Sequence, residues 1–107
     1  MEVTYKESSG SRPYVQEFIQ SIESKKDQAK IIYEIDQLEE SGMTLLDSKR
    51  LEKINPHGLF SLRVKCSDKI YRILMKIRGN VAILLHGFVK KTEKIPLKEI
   101  RKALGRI

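Results

Sequence analysis

The sequence predicts an α+β fold: two helices paired as a hairpin on an antiparallel sheet, with a short helix closing the chain. Three observations predict it. Residues 59–65, 69–78 and 81–90 are apolar stretches threaded with cations and joined by two tight turns. Apolar residues recur at helical spacing in two stretches before them and in one after. Helices in sequence ahead of a meander of strands pack their apolar stripes on one sheet face.

Taken in order, Val3-Thr4-Tyr5 alternates and reads as a short edge strand, and Ser8-Ser9-Gly10-Ser11 as a loop. Pro13 suits the first turn of a helix, where its missing N–H costs nothing. Val15, Phe18, Ile19 and Ile22 then follow helical spacing. Ser24 is an N-cap with Asp27 three residues on, close to a capping box. The second helix runs to about Glu40 and stops at Ser41-Gly42, with Gly42 able to take the left-handed conformation that ends helices. Its stripe reads Ala29, Ile32, Ile35 and Leu38, with Ile31 beside it. Residues 43–58 read as irregular, with a turn at Asn55-Pro56-His57-Gly58. Arg78-Gly79-Asn80 is a hairpin signal, because Gly79 and Asn80 both tolerate positive φ. Pro96 opens the last helix, striped by Leu97, Ile100, Leu104 and Ile107.

Strand side chains alternate between faces. One face therefore receives Leu62, Val64, Tyr71, Ile73, Met75, Ile83, Leu85 and Val89. The other receives Ser61, Arg63, Lys65, Arg72, Lys76, His86, Phe88 and Lys90, a set suited to an anion. Net charge agrees. The chain is +7, yet residues 1–58 hold 8 Lys/Arg against 11 Asp/Glu, while residues 59–107 hold 13 against 3. The basic half points to a polyanion such as nucleic acid; a basic surface that only keeps the protein soluble is the plainer account.

Length gives one domain over residues 1–107. The single Cys66 excludes an internal disulfide and a cysteine-rich zinc site. His57 and His86 show no metal-binding spacing. No apolar run reaches the ~20 residues that span a bilayer, and the start does not resemble a signal peptide, so a cytoplasmic location is expected. Dinucleotide, P-loop and nucleophile-elbow motifs are missing.

Pairing across the 66–68 turn sets Arg63 opposite Arg72. Facing arginines repel unless an anion, or a carboxylate from the acidic half, lies between them, and guanidinium forks suit phosphate oxygens. His86, on the next strand, is the side chain best matched to proton transfer near neutral pH, or else structural. Phe88 can stack on a base or plug the space under a loop. Lys90, Lys91 and Lys94, with Lys49, Arg50 and Lys53 from the irregular segment, can track a phosphate backbone.

Beyond these residues, LFSLRVKCSDKIYRIL at 59–74, AILLHGFVKKTEKIP at 82–96 and KEIRKAL at 98–104 resemble the RelE/ParE superfamily of small bacterial toxins, and within it the phage-derived Gp49-like, or HigB-like, group. The resemblance implies a small twisted antiparallel RelE-like sheet with a basic concave site. It implies the toxin of a type II toxin–antitoxin pair: an endoribonuclease, or mRNA interferase, that cuts mRNA on the ribosome without a metal or organic cofactor. A HigA-like helix-turn-helix antitoxin is the implied partner. Arg63 and Arg72 match charge-stabilising positions, His86 is the acid/base candidate, and Lys49, Arg50, Lys53, Lys65, Phe88, Lys90, Lys91 and Lys94 are the RNA-binding candidates. The tyrosine that wider-superfamily members carry near the C-terminus has no counterpart after Tyr71. The ParE branch shares the fold but binds gyrase, and an inactive phage remnant that only binds antitoxin is the third reading.

Overall fold

The computed structural model describes residues 1–107. Elements run β1 (Glu2–Tyr5), α1 (Tyr14–Ser21), α2 (Lys25–Ser41), a 3₁₀ turn (Gly42–Leu46), β2 (Leu51–Ile54), β3 (Leu59–Lys65), β4 (Ile70–Arg78), β5 (Val81–Lys90) and α3 (Leu97–Leu104). The five strands lie in the order β1-β5-β4-β3-β2. The expected all-antiparallel sheet is corrected to a mixed one, because β1 pairs parallel with β5. Two helices intervene between β1 and the rest of the sheet, enough chain to bring the N-terminal strand to the far edge in parallel.

Local chemistry explains the element ends. The Ser24 hydroxyl accepts from the Asp27 N–H at 3.1 Å, capping α2. Gly42, at φ 59°, ends it, with its N–H donating to the Leu38 carbonyl. The β4–β5 hairpin turns at Gly79-Asn80, but only Gly79 has positive φ (57°). That is the requirement of a turn with a left-handed first central residue, so Asn80 is relieved of it.

Both sheet faces are apolar in part. On one, Val15 and Ile19 of α1 and Ile31, Ile35 and Leu38 of α2 pack against Leu51, Leu62, Val64, Tyr71, Ile73, Met75, Ala82 and Leu84. The α2 stripe is therefore Ile31-Ile35-Leu38; Ile32 is 48% exposed, and Ala29 is exposed too. Gly87 is buried beneath α1, and a Cβ there would run into the Phe18 ring, so α1 rests directly on the β5 backbone. On the other face, Ile100 and Ala103 of α3 pack on Leu59, Leu74, Leu85 and Phe88. Leu97, Leu104 and Ile107, read as α3's buried stripe, instead stay partly exposed.

One irregularity reassigns β5. Leu74 pairs with His86 and Met75 with Leu84, which leaves Leu85 as an extra residue. Such a bulge breaks alternation and turns two consecutive side chains the same way. Ile83 and Leu85, expected with Tyr71 and Ile73, therefore join the α3 side, and Ala82 and Leu84 fill the α1–α2 core.

Candidate anion-binding face

The register sets Arg63 opposite Arg72, as the spacing predicts. For Arg72 the second alternative holds, a carboxylate from the acidic half, and the expected open face does not. Arg72 is not on a solvated surface; it is 4% exposed. Its Nη1 donates to Glu52 Oε1 at 2.9 Å and to the Ser61 hydroxyl at 3.4 Å. Glu52 comes from β2, a strand within the stretch expected to be irregular, whose pairing with Ser61 sets the carboxylate on this face. The buried Arg72 Nε has no hydrogen-bond partner within the protein. A buried donor left without a partner costs ~1–3 kcal/mol, more when the group is charged, and the Glu52 ion pair offsets part of that cost.

Lys90 pairs with Ile70 at the same end of the sheet. Burial pulls its amine below the ordinary lysine value, the Arg72 and Arg63 charges pull it further, and Glu52 and Glu93 oppose them. Its place beside Arg63 and Arg72 on this face makes Lys90 a candidate to contact, or exchange a proton with, a bound anion. Arg63 makes no ion pair and is only half-buried. Together, Arg63, Arg72 and Lys90 outnumber Glu52 and can hold a phosphate.

The other half of this face lies under α3, with His86 and Arg106 also bordering a cavity of about 250 Å³ beside Tyr14 and Phe18. His86 is 7% exposed, and its Nε2 lies 2.8 Å from Glu99 Oε1 on α3. Arg106 Nη1 donates to His86 Nδ1 at 3.0 Å and to the Leu85 carbonyl at 3.1 Å. Because Arg106 can only donate, Nδ1 accepts, and the Nε2 proton goes to Glu99, which specifies the neutral tautomer. Burial also holds the imidazole below its ordinary value, and Glu99 only partly offsets this. The Arg106 guanidinium in turn sits 3.8 Å from the Tyr14 ring centroid. Phe88 stacks on His86, centroids 5.7 Å apart, and is itself buried under α3. His86 and Phe88 are thus corrected from open-face groups to interior ones. Sequence reading missed Glu99 and Arg106 because their partner is set by how α3 crosses the sheet.

Of the remaining RNA-binding candidates, Arg50 and Lys65 line one cavity with Arg63, and the others lie apart from it. Arg50 donates to buried Glu34 from Nη2 at 2.6 Å and Nε at 3.0 Å. Lys53 pairs with Phe60, one residue out of phase with Glu52, and so belongs to the opposite face. Lys49, Lys65, Lys91 and Lys94 are exposed. Cys66 is half-buried, its thiol pushed up by burial and by Asp27, which fits an unreactive cysteine. No helix is long and apolar enough to cross a membrane.

The family described as phage derived protein Gp49-like (DUF891) matches residues 17–107. No curated protein matches the chain. The match spans α2, four of the five strands and α3, so the chain belongs to the Gp49-like phage-derived family, which is associated with RelE-type, toxin-like proteins.

Proposed function

We propose that this chain is the toxin of a type II toxin–antitoxin pair, an endoribonuclease that cuts mRNA on the ribosome. The observation that carries the reading is the grouping of Arg63, Arg72 and Lys90 on one sheet face against a single half-exposed acid, Glu52. Family membership supports it, and the mixed sheet with helices on both faces is compatible with a RelE-like fold.

In the proposed reaction, a ribose 2′-oxygen attacks the adjacent phosphorus and loses its proton. The bond from phosphorus to the 5′-oxygen breaks, that oxygen takes up a proton, and the products are a 2′,3′-cyclic phosphate and a free 5′-OH. Arg63 and Arg72 stabilise charge on the phosphoryl oxygens, a task preorganised donors perform best. Lys90 exchanges the proton. His86, with both ring nitrogens in use, is a positioning residue that holds α3 and Phe88. Exposed Lys65, Lys91 and Lys94 attract the RNA backbone. The partner is a HigA-like helix-turn-helix antitoxin that presents acidic residues to this basic face.

Reconstituted translation of a defined message tests the reading. Antitoxin-free protein should leave fragments ending in cyclic phosphate. Ribosome-bound message that stays intact with folded protein, or DNA breaks without loss of message, would overturn it.

A further inference from the structure

A second cationic site lies around the sheet edge from Arg72. β2 pairs with β3 as far as Leu51 with Leu62, the Arg63 N–H donates to the Arg50 carbonyl at 2.8 Å, and beyond Arg63 the β3 edge has no strand partner. There a cavity of about 380 Å³ is lined by Lys30, Tyr33, Glu34, Arg50, Arg63 and Lys65. Four cations surround one carboxylate. Glu34, with its side chain 7% exposed, takes Arg50 on Oε1 at 2.6 Å and Lys30 on Oε2 at 3.2 Å. The acid therefore orders two cations rather than neutralising four, and Arg63 and Lys65 make no ion pair. Tyr33 is 52% exposed, with the Lys30 ammonium 5.3 Å from its ring centroid. No core packing explains an aromatic at this position on α2.

We propose that this edge cavity binds one nucleotide of single-stranded RNA, with the base against Tyr33 and the phosphate among Arg50, Arg63 and Lys65. This rests on the proposed RNA-cutting function and extends its binding path, since Arg63 belongs both to the cavity and to the pair with Arg72. An aromatic face beside ordered cations is the general solution for unpaired nucleotides, because every base has a π-face to stack. An acidic peptide would use the cations but has no need of the ring.

Anisotropy of a labelled eight-nucleotide single-stranded RNA, measured on the full chain over a range of salt, tests this. Tyr33→Ala should weaken binding about tenfold, the loss typical of one stacked base, with an unchanged salt slope. Tyr33→Phe should bind within about twofold of the parent, since the ring is kept. Lys65→Ala should instead flatten the salt slope by about 0.7, as loss of one phosphate contact to a single strand does. Tyr33 is half exposed, so a thermal melt of Tyr33→Ala close to the parent's verifies the fold. RNA binding unaffected by Tyr33→Ala would overturn the inference. So would a polyglutamate peptide that binds with RNA-like affinity and the same Tyr33 dependence, since the site would then be a protein-docking one. If RNA binding depends on Tyr33 but no message is cut, the enzymatic reading fails and the nucleotide site stands. If message is cut and Tyr33→Ala binds normally, only the site fails.

Discussion

Arg72 and His86 lie on the same sheet face, both buried, yet their surroundings leave them different capacities. Arg72 keeps a buried donor unpartnered and shares its one acid with solvent: the Glu52 side chain is 47% exposed. Such a half-exposed pair contributes little to stability, about 0–1 kcal/mol. His86 has both nitrogens satisfied, by Glu99 and Arg106, and an aromatic ring stacked on it. The cationic half of the face keeps an excess of positive charge over its one acid, whereas the polar groups under α3 are paired with one another. Residue type points the other way, since histidine is the usual proton-transfer group and arginine a common surface cation. Environment decides which polar group is free to act.

The covered half can be broken first. Phe88→Ala should destabilise the protein by about 3–5 kcal/mol, as loss of a buried aromatic does, read from denaturant midpoints. A Phe88→Ala protein with an unchanged midpoint would mean that α3 does not close this half. In the open half the loss should fall on rate. Arg63→Ala should slow cleavage about 10²–10³-fold with little change in midpoint, because it is half-buried and unpaired. Arg72→Ala should slow it at least as much, with some loss of stability from its burial.

Acid separates the halves more finely. The folded-state pKa of His86 lies below its ordinary 6.5. The unfolded chain therefore binds the extra proton more readily, and the stability that neutral His86 contributes is complete above 6.5 and declines as pH falls toward the folded value. Melting temperature should drop over that window, and His86→Gln should flatten the drop. An identical pH dependence in His86→Gln would place the titration elsewhere. The smallest effect concerns association. Antitoxin should bind more slowly as salt rises, because the steering charge is on the exposed basic surface. A salt-insensitive on-rate would favour an apolar contact, for which Leu97 and Leu104 on α3 are exposed.

Much of this was legible in the residues. The three long strands, the Arg63–Arg72 register, the Ser24 cap and Gly42 stop follow from alternation, turn chemistry and capping, which are local. Three other features are not local. β2 is four residues long with apolar groups only at its ends, too short for alternation to register, so Glu52 could not be set beside Arg72. The extra residue at Leu85 leaves composition unchanged while reversing the faces of Ile83 and Leu85. In α3, the small Ala103 is buried while Leu97 and Leu104 remain partly exposed, because the close approach of the helix, rather than side-chain size, selects its inner side.

Single-turnover RNA cleavage across pH, comparing the parent with Lys90→Met and His86→Gln, tests the central claim that the open half performs the chemistry. The account predicts that Lys90→Met loses about 10²–10⁴-fold in rate together with the parent's pH-dependent limb, as loss of a general acid–base group does. His86→Gln should keep that limb, with a reduced rate only to the extent that α3 is loosened. A His86→Gln protein that folds but loses the limb, beside a Lys90→Met protein that retains it, would contradict the account and return the proton transfer to the histidine.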